Sequence, residues 1–248
     1  MDLLIDLHLR QTRQGPGGDA ETRLALSLSG LSQREDLRVA DIGCGTGAAA
    51  LVLAKELTAE VTAVDLFPAF LAELEARAKT AGLEHAITTL EASMDSLPFE
   101  AASLDVIWSE GAIYNIGFET GLKTWRPFLK PGGILAVSEL TWLTAIRPAE
   151  LTAHWDREYP EVDLASAKIA LLERHGFRPL GYFPLPRDCW IDDYYRPLEN
   201  AFEPFLDRHK RSDAAQRIVE AERQEIALYE ENAAFVSYGF FVAQKIED

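Results

Sequence analysis

LRVADIGCGTGA, residues 37–48, runs from an apolar stretch through an aspartate into three glycines and then into the alanine-rich AALVLAKEL. The apolar half has the length and composition of a buried strand, and Leu51, Ala54 and Leu57 fall on one face of the helix that follows. A strand, a glycine-rich turn and a helix in this order bring bare backbone and a helix N-terminus to one point. Gly43, Gly45 and Gly47 permit tight backbone angles and close approach of a ligand.

The same alternation continues outward. EVTAVDL (60–66) reads as a second strand, and PAFLAELEARAKTAGL (68–83) as a helix with Pro68 near its start and Gly82 near its end. AITTLEA (86–92), LDVIWSE (104–110) and GGILAVSEL (132–140) read as strands three to five. Leu122, Trp125 and Leu129 mark a helix between the last two. ASAKIALLERHGF (165–177) is another helix, RPLGYFPL (178–185) a sixth strand and FVSYGFFVAQ (235–244) a seventh. Strand–helix alternation of this kind predicts an α/β fold of three layers with a mostly parallel sheet. Residues 1–36, which contain the breaker RQGPGGD, are expected to form an N-terminal lid, and residues 186–233 a helical insertion before the last strand. Both would cover the crevice at the carboxyl ends of the strands, in a main unit spanning 37–248.

Bulk properties narrow the function. A net charge of −16 over 248 residues argues against nucleic acid and against an anionic membrane surface. Cys44 and Cys189 lie far apart and suit a reducing compartment. MDLLIDLHLRQTR is too short and too charged for a signal peptide, and no apolar run approaches the roughly 20 residues of a membrane span. A cytoplasmic protein, monomer or homodimer, acting on a small molecule is expected.

Two ligand classes suit the glycine loop. Gly43-x-Gly45-x-x-Ala48 fits a loose dinucleotide fingerprint, with Asp65 placed 20 residues past Gly45 to bind a ribose. S-adenosylmethionine (SAM) needs the same ribose acid but has no pyrophosphate. Asp41 separates the two: a carboxylate there opposes a pyrophosphate and attracts an ammonium, a difference on the order of a few kcal/mol at about 4–6 Å.

VADIGCGTG, the acid in AVDLF, SMDSLPF, LDVIWSEGAIY and the LKPGG turn, in that order, resemble the class I SAM-dependent methyltransferases. Within these the chain is most similar to the ubiquinone/menaquinone methyltransferase-like (methyltransferase type 11) group. RQGPG (13–17) and SEGAIYNIGFE (109–119) resemble a narrower subgroup. The resemblance covers residues 37–140 well and implies a Rossmann-like fold with SAM as cofactor and S-adenosylhomocysteine as product. It implies that Asp41 faces the methionyl amino group, that Gly43, Gly45 and Gly47 line the methionyl and ribose parts, and that Asp65 accepts the ribose hydroxyls. Leu66 would lie against the adenine face and Met94 along its edge. Relatives often carry aspartate where Ser93 stands, so either Ser93 or Asp95 is expected to reach the adenine amino group.

Glu110 leaves the fourth strand where the transferable methyl would sit. It suits a general base, a ligand of the methionyl ammonium, or a structural helix cap. Tyr114 is the second candidate base, and Tyr114 and Asn115 are candidate acceptor contacts, with Tyr114 as a packed aromatic the competing reading. RQGPG suits either a hinge that lets Arg13 or Gln14 reach the SAM carboxylate or a plain linker. Trp190 and Tyr194 in CWIDDYYRP, and Trp142, suit either an aromatic wall for an apolar or ring-containing acceptor or plain packing. The five histidines show no metal spacing. Cys44 reads as a small packed side chain. The acidic VEAERQEIALYEEN reads as a solvated helix face. A non-catalytic SAM-binding module and an NAD(P)-dependent oxidoreductase are the rival readings.

Overall fold

A computed structural model describes residues 2–247. The N-terminal region forms helices α1 (Asp2–Leu9) and α2 (Asp19–Ser29). The alternating unit follows as β1 (Leu37–Ile42), α3 (Ala48–Glu56), β2 (Ala59–Asp65), α4 (Pro68–Ala81), β3 (Ile87–Glu91), β4 (Leu104–Glu110), α5 (Phe118–Trp125) and β5 (Leu129–Trp142). Then come α6 (Ala149–Glu158), β6 (Asp163–Leu164), α7 (Ala165–Arg174) and β7 (Phe177–Pro184). Helices α8 (Arg187–Trp190), α9 (Arg196–Arg208) and α10 (Asp213–Asn232) precede the last strand, β8 (Val236–Lys245).

The sheet order is β3-β2-β1-β4-β5-β8-β7, with the two-residue β6 beside the end of β5. All pairings are parallel except those of β8, which runs antiparallel to both β5 and β7. This is the three-layer Rossmann-like α/β architecture. Strand order reverses about β1 and β4, and a crevice opens beyond the carboxyl ends of such strands.

Side-chain alternation builds a core on each face. In β1, Leu37 and Val39 join the cluster formed with α2, α3, α4 and α9, while Ala40 and Ile42 join the cluster under α5 and α7. Burial on both sides explains why β1 and β4 read as nearly continuous apolar runs. Two elements escape the sequence reading, α6 and β6. Helix α6 buries only Leu151, so RPAELTAHWDREY carries no apolar stripe to mark it.

Candidate active site

The loop after β1 turns back on the end of β2. The Gly43 and Cys44 amides donate to the Val64 carbonyl at 2.8 and 2.9 Å. The Gly45 amide donates to Asp65 Oδ2 at 2.8 Å, and the Phe67 amide to Asp65 Oδ1 at 3.0 Å. Gly47 has φ 85°, and a Cβ there would lie 2.0 Å from Leu74 Cδ1 of α4. A Cβ at Gly43 would lie 2.4 Å from the Ala112 Cβ, and at Gly45 2.3 Å from Gln14 Oε1. Each glycine therefore admits a different neighbour: α4, the loop after β4, and the N-terminal loop.

That N-terminal loop is stitched down. Gln14 Oε1 accepts the Thr46 amide at 2.8 Å, and its Nε2 donates to the His8 and Gln11 carbonyls. Arg77 of α4 donates to the Thr46 and Thr12 carbonyls. Arg13 donates to Glu110 Oε2 at 2.9 Å and to Asp19 at 3.0 Å. Burial works against the Arg13 charge, but the Glu110 and Asp19 carboxylates more than offset it and hold its pKa above the usual value. Glu110 Oε1 also accepts Thr22 Oγ1 at 2.7 Å and Trp108 Nε1 at 2.9 Å. Both Glu110 oxygens are thus engaged, which makes it the anchor of the loop.

Beneath the loop lies a cavity of about 70 Å³ lined by Arg13, Gln14, Pro16, Asp41, Gly45 and Glu110 among others. Asp41 is fully enclosed, and its Oδ2 has no hydrogen-bond partner. Burial, then the charges of Glu110 and Asp65, push its pKa well above the usual carboxylate range. Burial also raises Asp65, against the opposing amides of Phe67 and Gly45. A buried carboxylate with one oxygen unpartnered, beside two more acids, is a site that calls for a donor of positive charge. An ammonium fits it. Asp65 keeps free lone pairs beside its two amides and can accept hydroxyls as well. The donor set therefore fits the methionyl and ribose parts of SAM.

Further candidates lie around this centre. Leu66 is 54% exposed at the rim. Ser93 and Met94 are half-buried and Asp95 exposed in the loop after β3, where the Met94 carbonyl accepts Trp125 Nε1 at 2.8 Å. Tyr114 is 39% exposed with its ring 6.0 Å from that of Tyr159. Asn115 donates to the Ala112 carbonyl at 2.9 Å, closing its own turn.

The tryptophans are not on an open wall. Trp142 is 3% exposed with the Arg147 guanidinium 4.1 Å over its ring. Trp190 is 5% exposed, donates to Ser237 Oγ at 2.9 Å and stacks on Tyr229 at 4.2 Å. Both sit in the core because an indole fills the gap between the helical insertion and the sheet. Tyr194 is also buried, its ring 6.2 Å from that of His8 in α1. Arg13 lines the cavity beneath the glycine loop with its guanidinium held by Glu110 and Asp19.

Thr22, Thr46 and Arg77 went unnoticed in the sequence, being ordinary polar residues on helix and loop. Glu139 also went unnoticed, although an acid inside the apolar ILAVSEL is a usable signal. It is buried in β5 and paired with Lys168 of α7 at 3.2 Å. Among the described residues there is no cluster of three or more metal-ligating side chains, and no helix is long and apolar enough to cross a membrane.

Comparison with known proteins follows the same lines. The family described as "Methyltransferase domain" matches residues 39–133. The chain is 33% identical over 135 residues to the uncharacterized methyltransferase YodH of Bacillus subtilis, covering 54% of this chain and 56% of that one. It is 30% identical over 181 residues to the 27-O-demethylrifamycin SV methyltransferase of Amycolatopsis mediterranei, covering 72% of this chain and 66% of the relative. The chain spans about half the length of the first curated relatives it matches. A crystal structure of a SAM-dependent methyltransferase from Geobacter sulfurreducens, in complex with S-adenosylhomocysteine, superposes with a TM-score of 0.82 at 18% identity, over 98% of this chain and 97% of that one.

Proposed function

We propose, from the premise that this chain belongs to the class I SAM-dependent methyltransferases, that it transfers a methyl group from SAM to a small-molecule acceptor. The observation that carries the reading is the buried Asp41 carboxylate beneath the glycine loop, whose Oδ2 has no hydrogen-bond partner, together with Asp65 at the end of the neighbouring strand. Together they suit a ligand with an ammonium at one end and a ribose at the other. A pyrophosphate would meet three acids.

When bound, SAM supplies a methyl already activated on a sulfonium, so the protein's task is alignment and exclusion of water. Asp41 would take the amino group, the glycine loop would lie along the chain of the ligand, and Asp65 would hold the ribose hydroxyls. Leu66 and Met94 would border the adenine, with Ser93 or Asp95 at its amino group. Arg13 and Gln14 roof the cavity from the N-terminal loop. Glu110 has its lone pairs facing Arg13, Thr22 and Trp108, so its proposed role is to hold that roof and not to accept a proton.

Calorimetric titration with SAM, S-adenosylhomocysteine, NADH and NADPH tests the reading. The two sulfur ligands should bind and the nicotinamides should not. Asp65→Ala should weaken both sulfur ligands by about 2 kcal/mol, roughly thirtyfold. Binding of a nicotinamide nucleotide in their place would overturn it.

A further inference from the structure

The strap between α1 and α2, residues 10–18, covers only one part of the candidate site. The cavity beneath the glycine loop has residues 13–16 as its roof, with Asp41 and Glu110 among its walls. Neither Asp65 nor Leu66 borders it, and Leu66 stands 54% exposed at the rim. Its volume of about 70 Å³ is a fraction of the roughly 300–1,000 Å³ of pockets that enclose a whole small ligand. We propose that the strap is a gate for the amino-acid tail of the donor alone. The tail enters and leaves only when the strap lifts at Gln14, while the nucleoside half docks at the open rim beside Leu66 without waiting for it. The inference rests on the methyl-transfer reading above.

The strap crosses the cavity and is bonded on both sides of it. On one side Gln14 Oε1 accepts the Thr46 amide at 2.8 Å and the Thr46 hydroxyl at 3.2 Å. On the other side Arg13 donates to Glu110 at 2.9 Å. With both seams closed, Asp41 is 1% exposed. A tail tipped with an ammonium and a carboxylate reaches Asp41 only past one of these seams.

The two seams differ in strength. The Arg13–Glu110 pair joins two charges that are 8% and 9% exposed, and Asp19 holds Arg13 as well. Breaking it strands buried charge. The Gln14 seam contains no paired charges. Its other contacts are the Thr46 hydroxyl to the Gln11 carbonyl at 3.3 Å and Arg77 to the Thr12 carbonyl at 3.1 Å. Gln14 Nε2 is tied within its own segment, to the His8 and Gln11 carbonyls, so side chain and turn can leave together. The gate therefore opens at Gln14 and pivots on Arg13.

Gly15 is an independent sign of movement. No atom lies within 4 Å of where its Cβ would stand, and its φ is not positive. The closed strap thus has room for a side chain at residue 15 and does not require glycine there. A hinge does, because glycine passes through backbone angles closed to other residues. Pro16 fixes its own φ and keeps the turn beyond the hinge in one piece.

The test compares S-adenosylhomocysteine with 5′-methylthioadenosine, which keeps the nucleoside and the sulfur but carries a methyl in place of the tail. Surface plasmon resonance gives association and dissociation rate constants for both. On the wild type the tail-bearing ligand should associate at least about tenfold more slowly than the nucleoside. Gln14→Ala should raise both rate constants for S-adenosylhomocysteine about fivefold and leave those for 5′-methylthioadenosine unchanged. Gly15→Ala should lower both by roughly two- to fivefold, again for S-adenosylhomocysteine only. Faster dissociation alone in Gln14→Ala would mean that Gln14 grips the ligand and is no latch, and the proposal would fall. It would fall equally if the two ligands associate at the same rate, if the nucleoside does not bind, or if Gly15→Ala leaves the rates as they are. A wild-type protein that takes up no S-adenosylhomocysteine at equilibrium sinks the methyl-transfer reading itself, an outcome seen before any rate is compared.

Discussion

Asp41 is a charge that the ligand-free protein holds at a loss. Its folded pKa lies well above the unfolded value, because of burial and then of Glu110 and Asp65. The folded state therefore binds more protons at this site than the unfolded one, and stability falls as pH rises from the unfolded pKa near 3.8 up to the raised folded value. Asp41→Asn removes that loss. At pH 7 its melting temperature without ligand should exceed that of the wild type, while SAM binds at least about tenfold more weakly. A thermal melt and a titration of the same preparation check both, and a lower melting temperature would show that Asp41 is not strained. At this scale the sequence was readable where a residue breaks its surroundings. Asp41 and Asp65 end apolar strands and stand out. Glu110 ends β4 in the same way, but nothing local tells that its oxygens go to Arg13, Thr22 and Trp108.

Among elements, the N-terminal segment is what closes the cavity beneath the glycine loop. Helix α1 is tied to α9 by Asp6, which pairs with Arg208 and His209 at 2.8 Å each. The loop between α1 and α2 is held by the Arg13–Glu110 pair, 8% and 9% exposed. Removing one partner of such a pair leaves the other charge uncompensated. Arg13→Met should cost about 2 kcal/mol and release the loop, seen as faster amide exchange at residues 11–18 with the sheet unchanged. Unchanged exchange there would mean that Gln14 and Arg77 suffice to hold it. RQGPG marked this segment as a turn, but the partner of Arg13 lies 97 residues away, beyond any local pattern. The parallel strands and their helices were legible for the opposite reason, since each is built from a periodicity that lies within a dozen residues. Helix α6 was not, because it buries almost nothing.

For the molecule as a whole, the two faces of the sheet are not chemically alike. One carries the cavity beneath the glycine loop; the other carries a buried ion pair, Glu139 with Lys168, capped by the rings of Phe118 and Tyr159. Burial raises the Glu139 carboxyl, and Lys168 works against that shift. Lys168→Met should destabilise the protein by about 3–5 kcal/mol, and adding Glu139→Gln should recover most of the loss. Urea denaturation of the two variants measures it, and equal stability of the single and double variants would mean that the cost is one of packing alone.

Strand β8 carries a consequence for how the protein is made. It lies between β5 and β7, so β7 reaches the rest of the sheet only through it. During synthesis β1 to β5 can pair as they emerge from the ribosome, but β7 has no neighbour until residues 236–245 have been translated and have left the exit tunnel. A nascent chain halted before that point would keep the apolar edge of β5 open to other chains, and the last step of assembly is the insertion of a strand between two that are already waiting.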